Sequence, residues 1–329
     1  MCKVALMQPI VERTAILRNL GNDELVVVAQ RVLPGQQFAF KSTCVAFNAA
    51  FKAAMLTDKT KTPLAEVVCS VSLLQWASCN GCPWNTNTCK HAAAGGHLEV
   101  LKWARQNGCP WDRRTCLHAA MNGHLGVLQY AHANKCQWDE DTCSYAAVGG
   151  HLKVLKWLHL NGCPWGEWTC SHAAEEGHLE VLQWARKNGC PWDDRVCTSA
   201  AAGGHLHVLK WARRKGCHWD EWTCTRAAEG GHLKVLKWAH LQGCPWDEWT
   251  CAHAAEGGHL EVLKWARLKG CPWNECTCAH AAMYGHVKVL KWARLNGCLW
   301  DERTLIFAQK GHQTEVLKWL YENGFPLVG

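Results

Sequence analysis

The chain has 329 residues, among them 22 Cys and 21 Trp, and a formal net charge of +7. Residues 1–61 hold 8 Lys and Arg against 4 Asp and Glu, while the rest hold 27 against 24, so the long body is nearly neutral and a poor footprint for phosphate. No apolar run is long enough to span a bilayer, and the N-terminal stretch lacks a signal peptide's apolar region and cleavage site, so an intracellular chain, in cytoplasm or nucleus, is expected.

Residues 1–61 stand apart from the rest of the chain. Asn22-Asp23-Glu24-Leu25 opens a Val-rich helical pattern, Pro34-Gly35 breaks it, and a second apolar stretch runs from Phe38 to Ala54. The order Leu17-x-x-Leu20-x-x-Asp23-Glu24-Leu25, then Leu33-Pro34, then Cys44-Val45-Ala46-Phe47 resembles a degenerate F-box, without the usual Leu-Pro opening. The resemblance implies docking on a Skp-type adaptor of a cullin ubiquitin ligase through Leu17, Leu20, Leu25, Phe38 and Phe47. A helical cap over the apolar end of a helical array accounts for the same residues, and the two readings are compatible.

From residue 62 onward the chain repeats. Gly-Cys-Pro-Trp, varied in three copies, recurs with its Trp at 84, 111, 138, 165, 192, 219, 246, 273 and 300, a constant step of 27. A second aromatic column, from Trp76 and Trp103 through Tyr130 to Trp319, keeps the same step of 27. A fixed period in this range means stacked supersecondary units. Within the unit 112–138, Asp112 is an N-cap, and its equivalents (Asn85, Asp139, Gly166, Asp193, Asp220, Asp247, Asn274, Asp301) all belong to the preferred capping set. A first helix runs through Thr115-Cys116 and Ala119-Ala120 to near Gly123, and a second starts near His124 with Leu125, Val127, Leu128, Tyr130 and Ala131. Most units then place Gly after the second helix and Pro two residues on, a helix stop. No segment alternates with period two, so the predicted fold is all-α, with about ten units over 62–329.

The run Ala173-Ala174-Glu175-Glu176-Gly177-His178-Leu179-Glu180-Val181-Leu182-Gln183-Trp184, with Gly189 after it, resembles the ankyrin repeat. That resemblance implies a helix-turn-helix solenoid acting as a protein-interaction scaffold. The units are 27 residues long rather than about 33, and the missing residues fall where ankyrin repeats carry a projecting β-turn finger, so short loops are expected. Trp168-Thr169-Cys170-Ser171 stands where that family has Thr-Pro-Leu-His.

The residue types that suggest chemistry also recur, and recurrence favours structure. Cys pairs seven apart, such as Cys163 and Cys170, do not match zinc spacings and are expected to be small core hydrophobes, with Cys276 the exposed exception. A His column at the start of the second helices, from His97 to His286, is expected to stitch units together, as it does in ankyrin-like arrays. The Trp columns are expected in the core, with the Gly-Cys-Pro-Trp rings pointing into the stack. No catalytic constellation, metal site or cofactor is assigned, and the chain is read as a non-enzyme. A Cys/His-rich metal-binding or structural protein and a nucleic-acid binder are the alternatives.

A binding face is expected where the units differ from one another. Trp168, Trp222, Trp249, Arg114 and Arg195 share one variable column at the entry to the first helix, and His91, His118, Tyr145, His172, Arg226 and His253 share another. A third column, Lys90, Leu117, Ser144, Ser171 and Thr198, varies as freely, as binding or idle solvent-exposed positions would. Trp and Arg are the favoured anchors of interfaces. The unit 112–138 is the expected soft point, with Gly126 inside a helix, Tyr130 for Trp, Lys135 for Gly and Gln137 for Pro.

Overall fold

The computed structural model describes residues 68–72, 74, 75 and 84–325. Among these residues there are 18 helices and no strand. The first helices of successive units are α1 (Thr86–Ala94), α3 (Arg113–Met121), α5 (Glu140–Val148), α7 (Glu167–Glu175) and α9 (Arg195–Ala202). The series continues with α11 (Glu221–Glu229), α13 (Glu248–Glu256), α15 (Glu275–Met283) and α17 (Glu302–Lys310). Their second-helix partners are α2 (Leu98–Gln106), α4 (Leu125–Ala133), α6 (Leu152–Leu160), α8 (Leu179–Lys187) and α10 (Leu206–Arg214). The remaining partners are α12 (Leu233–Leu241), α14 (Leu260–Leu268), α16 (Val287–Leu295) and α18 (Thr314–Glu322). The chain divides into two compact units that meet in sequence between Gln137 and Trp138.

Each first helix but α9 starts where its cap says it should. The side chains of Asn85, Asp112, Asp220, Asp247, Asn274 and Asp301 accept from the backbone N–H two residues on, satisfying one of the orphan donors of the first turn. The Thr at the third helical position answers in α1 and α5, where the Asn85 and Asp139 N–H groups donate to Thr88 and Thr142 Oγ1 at 3.3 and 3.4 Å. Helix α9 begins one residue late, at Arg195, yet Asp193 still accepts from the Arg195 N–H at 3.1 Å.

The two rows of helices pack differently. Within each compact unit, first helices pack closely on first helices, α1 on α3 and then α5 through α17 in succession, whereas second helices touch one another sparingly. The Ala pairs explain this, because 92–93, 119–120 and their equivalents through 281–282 are fully buried and allow close approach of backbones. The core between the rows is Leu, Val, Ala and Cys: Leu101, Leu128, Leu155 and their successors through Leu290 are 0% exposed.

The His column stitches units as expected. A carbonyl can only accept, so each ring donates its Nε2 proton to the last carbonyl of the preceding first helix. His124 reaches Ala94 at 3.0 Å, His178 reaches Val148 at 3.0 Å, and His232 and His286 reach Ala202 and Glu256 at 2.8 Å. In the last unit Gln313 Nε2 makes the same bond to Met283 at 3.1 Å. The Gly opposite each ring is required twice over. Gly204 has φ +77°, and a Cβ there would lie 2.5 Å from the His232 ring.

The unit 112–138 carries its strain in the backbone. Lys135 takes the left-handed conformation (φ +61°) that Gly supplies in its siblings, such as Gly162 and Gly189. A side chain there costs about 1–2 kcal/mol. We predict that Lys135→Gly raises stability by about 1 kcal/mol. Amide exchange over 124–141 should then slow toward that of 178–195; wild-type protection equal in the two stretches would show that packing has overridden the local strain.

Candidate protein-binding face

The predicted binding residues sit at the start and the middle of the first helices. Trp168, Trp222 and Trp249 are 49%, 42% and 39% exposed. Their backbone is fixed while the ring stays out: Asp220 and Asp247 accept from the Trp222 and Trp249 N–H groups at 3.1 Å. Arg in the same column behaves as a brace. Arg114 bonds Asp112 and, one unit back, Thr86 Oγ1 at 2.8 Å. Arg195 bonds Asp193 at 2.7 Å and Glu167 at 2.6 Å, with its guanidinium 4.6 Å above the Trp168 ring. Arg303 repeats the arrangement with Asp301 and Glu275, and its Nη1 is 3.5 Å from Sγ of the half-buried Cys276.

The second column lies half-buried one turn further on. Trp168 faces His172 at 5.6 Å between ring centroids. Trp222 and Trp249 lie 6.2 and 6.1 Å from the His253 ring. Arg226 donates to Glu229 Oε2 at 2.5 Å and sits 5.7 Å from the Trp222 ring. The structure therefore brings Trp222, Arg226, Trp249 and His253 into one patch, and Trp168, His172 and Arg195 into a neighbouring one. Tyr145 stands on α5 in the same compact unit, whereas Arg114, His91 and His118 belong to the other. Burial, and then the charges of Lys90 and His91, hold His118 below the usual imidazole range. Burial and Lys90 do the same to His91.

Sequence reading missed three members of the richer patch. His280 is 6.1 Å from Trp249 and 5.8 Å from His253, and Glu229 and Glu256 face His253. A signal was available: that acidic column reads Ala94, Met121, Val148, Glu175, Ala202, Glu229, Glu256, Met283, so the stack itself does not need Glu there. The third variable column is corrected. Lys90 and Thr198 are half-buried, whereas Leu117, Ser144 and Ser171, with Thr225 in the same column, are 9% exposed or less, and Ser144 and Thr225 touch Thr169 and Thr250 at 3.4 and 3.3 Å between adjacent first helices. At Ser144, Ser171 and Thr225 the side chain is small enough for a tight helix contact. Leu17, Leu20, Leu25, Phe38 and Phe47 lie outside the described residues.

The loop that replaces the finger leads into each first helix. Its Trp is half-buried, as are the second-helix rings from Trp103 to Trp319, which corrects the expectation that both columns lie in the core. Trp84 and Trp103 pack at 5.4 Å between centroids, and the same pair recurs through Trp300 and Trp319 at 5.8 Å. A cation or imidazole caps most loop rings: Arg213 lies 4.0 Å over Trp219, and His240 stacks on Trp246 at 3.8 Å. Arg213 also donates to the Cys217 carbonyl, and the Cys217 thiol donates to the Asp193 carbonyl at 3.1 Å, 24 residues back.

Every described Cys other than Cys69 and Cys276 is buried. The partner of each is 20 residues away rather than 7: Cys89 and Cys109 Sγ atoms are 3.6 Å apart, because the second helix runs back antiparallel to the first. Contact with the Cys190 thiol and burial push the Cys170 thiol well above its ordinary value, and Cys197, Cys271 and Cys278 are raised in the same way by Cys217, Cys251 and Cys298, while the paired Cys217 and Cys298 are lowered by the same contact. Protonated, enclosed thiols suit a packing role.

A family model for ankyrin repeats matches residues 89–132 and 170–213. Both stretches contain the stitched His, the Ala pair and the two antiparallel helices that recur across the other described units. The fold is an ankyrin-type solenoid. The crystal structure of the human ASB11 ankyrin repeat domain is similar at 16% identity over 48% of this chain and 84% of that chain, with a TM-score of 0.39. No curated protein matches this chain. Ankyrin repeats are generally protein-interaction scaffolds and typically non-catalytic. No described helix of this solenoid is long and apolar enough to cross a membrane.

Proposed function

We propose that the solenoid binds a protein partner across its first-helix face, anchored by Trp168, Trp222 and Trp249. The observation that carries this reading is their exposure, 49%, 42% and 39%, at a position where other units manage with Asn87, Arg114, Asp141 or Cys276. Three large rings held in water by a repeat that does not require them are anchors awaiting a surface. Changing all three to Ala should reduce capture of cross-linked cellular proteins by more than about tenfold, the loss of a single strong anchor. Helical circular dichroism should stay unchanged. Capture that survives the triple change sinks the reading.

The finer reading makes the chain a substrate adaptor of a cullin-type ubiquitin ligase, supported by the F-box-like order of residues within 1–61. The same capture run with and without residues 1–61 separates the parts. A Skp-type adaptor should disappear from the truncated chain's partners while the Trp-dependent partner remains.

A further inference from the structure

The patch around His253 has the makings of an ion site. Glu229, His253 and Glu256 each offer a ligand atom, and these atoms lie within 4.8 Å of one another. His253 Nδ1 is 3.1 Å from Glu256 Oε2 and 3.6 Å from Glu229 Oε2, and His280 Nδ1 is 3.7 Å from the same Glu256 oxygen. Two ligands on one tetrahedral ion at ~2.0–2.1 Å stand about 3.3 Å apart, so Glu229, His253 and Glu256 need modest adjustment, while His280, which approaches Glu256 alone, must turn inward to join them.

Both imidazoles are oriented for the task. Nδ1 of His253 and Nδ1 of His280 are buried and make no hydrogen bond, so the 3.1 Å approach to Glu256 brings charge without hydrogen-bond geometry. The His280 ring bonds the Ala252 carbonyl. A ring fixed by a backbone carbonyl and presenting its other nitrogen to carboxylates is the usual support of a metal ligand. The repeat supplies the control. Where α11 and α13 carry Glu229 and Glu256, sibling units carry Ala94 or Ala202, and where α13 and α15 carry His253 and His280, siblings carry Ser199 or Phe307. The fold asks for none of the four.

We propose that Glu229, His253, Glu256 and His280 form a binding site for a divalent cation of the zinc type, on the face where the partner is placed. Imidazole and carboxylate donors suit such an ion, and no thiol belongs to the set. Arg226 is the resident competitor, holding Glu229 at 2.5 Å, and must release it when the ion enters.

Cobalt(II) titration of the full chain in a non-thiol reductant tests this. The chain's many thiols announce themselves separately, because a thiolate ligand gives an intense near-ultraviolet charge-transfer band that nitrogen and oxygen ligands lack. One saturable equivalent should bind with weak visible bands and no thiolate band. Glu229→Ala with Glu256→Ala should weaken it at least tenfold with circular dichroism unchanged, and Arg226→Ser should tighten it severalfold. Should the Glu pair fail to fold, His253→Ser with His280→Phe, both residues native to sibling units, gives the same readout. Absence of a saturable equivalent, binding indifferent to both pairs, or a thiolate band on the first equivalent overturns the proposal.

Discussion

Leu236→Ala should destabilise the solenoid by about 2–5 kcal/mol and split its unfolding into two steps. Leu236 is 0% exposed on α12, at the position also held by Leu209 and Leu263 in the flanking units. Its loss removes transfer energy and leaves a cavity that the stitched helices around it cannot readily close. In a stack where each unit touches only its neighbours, the damage stays local and weakens both interfaces of one unit. Urea unfolding monitored by helical circular dichroism should show an early step for the stretch around α12 and a later one for distant units. A single transition displaced by less than about 1 kcal/mol would mean that the array is more cooperative than nearest-neighbour coupling allows.

His232→Ala should cost about 1–3 kcal/mol, because it leaves the part-buried Ala202 carbonyl without its donor. The ring's bond to that carbonyl is 2.8 Å long. His232→Gln should recover most of the loss, since Gln313 already makes the equivalent bond to Met283 at 3.1 Å. The comparison isolates the hydrogen bond from the ring's contact with Gly204. Equal urea midpoints for the Ala and Gln variants would show that ring packing, and not the bond, holds the units together.

Most of the fold was legible because the sequence states it many times over. Each Asp or Asn cap, each Ala pair and each His is independently readable, and repetition at 27 residues removes the ambiguity of any single copy. What failed to read was distance across the helical hairpin. Cys163 and Cys170 are close in sequence, yet Cys163 meets Cys143, because the antiparallel return of α6 decides the neighbours. Trp165 looked like core on hydrophobicity alone, but its polar indole edge and the His159 ring stacked on it at 4.0 Å let it remain half in water. The face carrying Trp222 and Trp249 was visible as a break in the column pattern. The pairing of His253 with Glu229 and His280 was not, since it joins three helices from two different columns.

The ties between units have one more property. The Cys271 thiol reaches Asp247, 24 residues back, Arg303 reaches Glu275, 28 back, and His286 reaches Glu256, 30 back. Each bridges a unit to its predecessor and no further. Excising or duplicating 27 residues in frame would therefore leave every latch with an equivalent partner. For such a gene, lengthening or shortening the array is a smaller structural step than many single substitutions, and the number of units can drift while the fold of each one stays fixed.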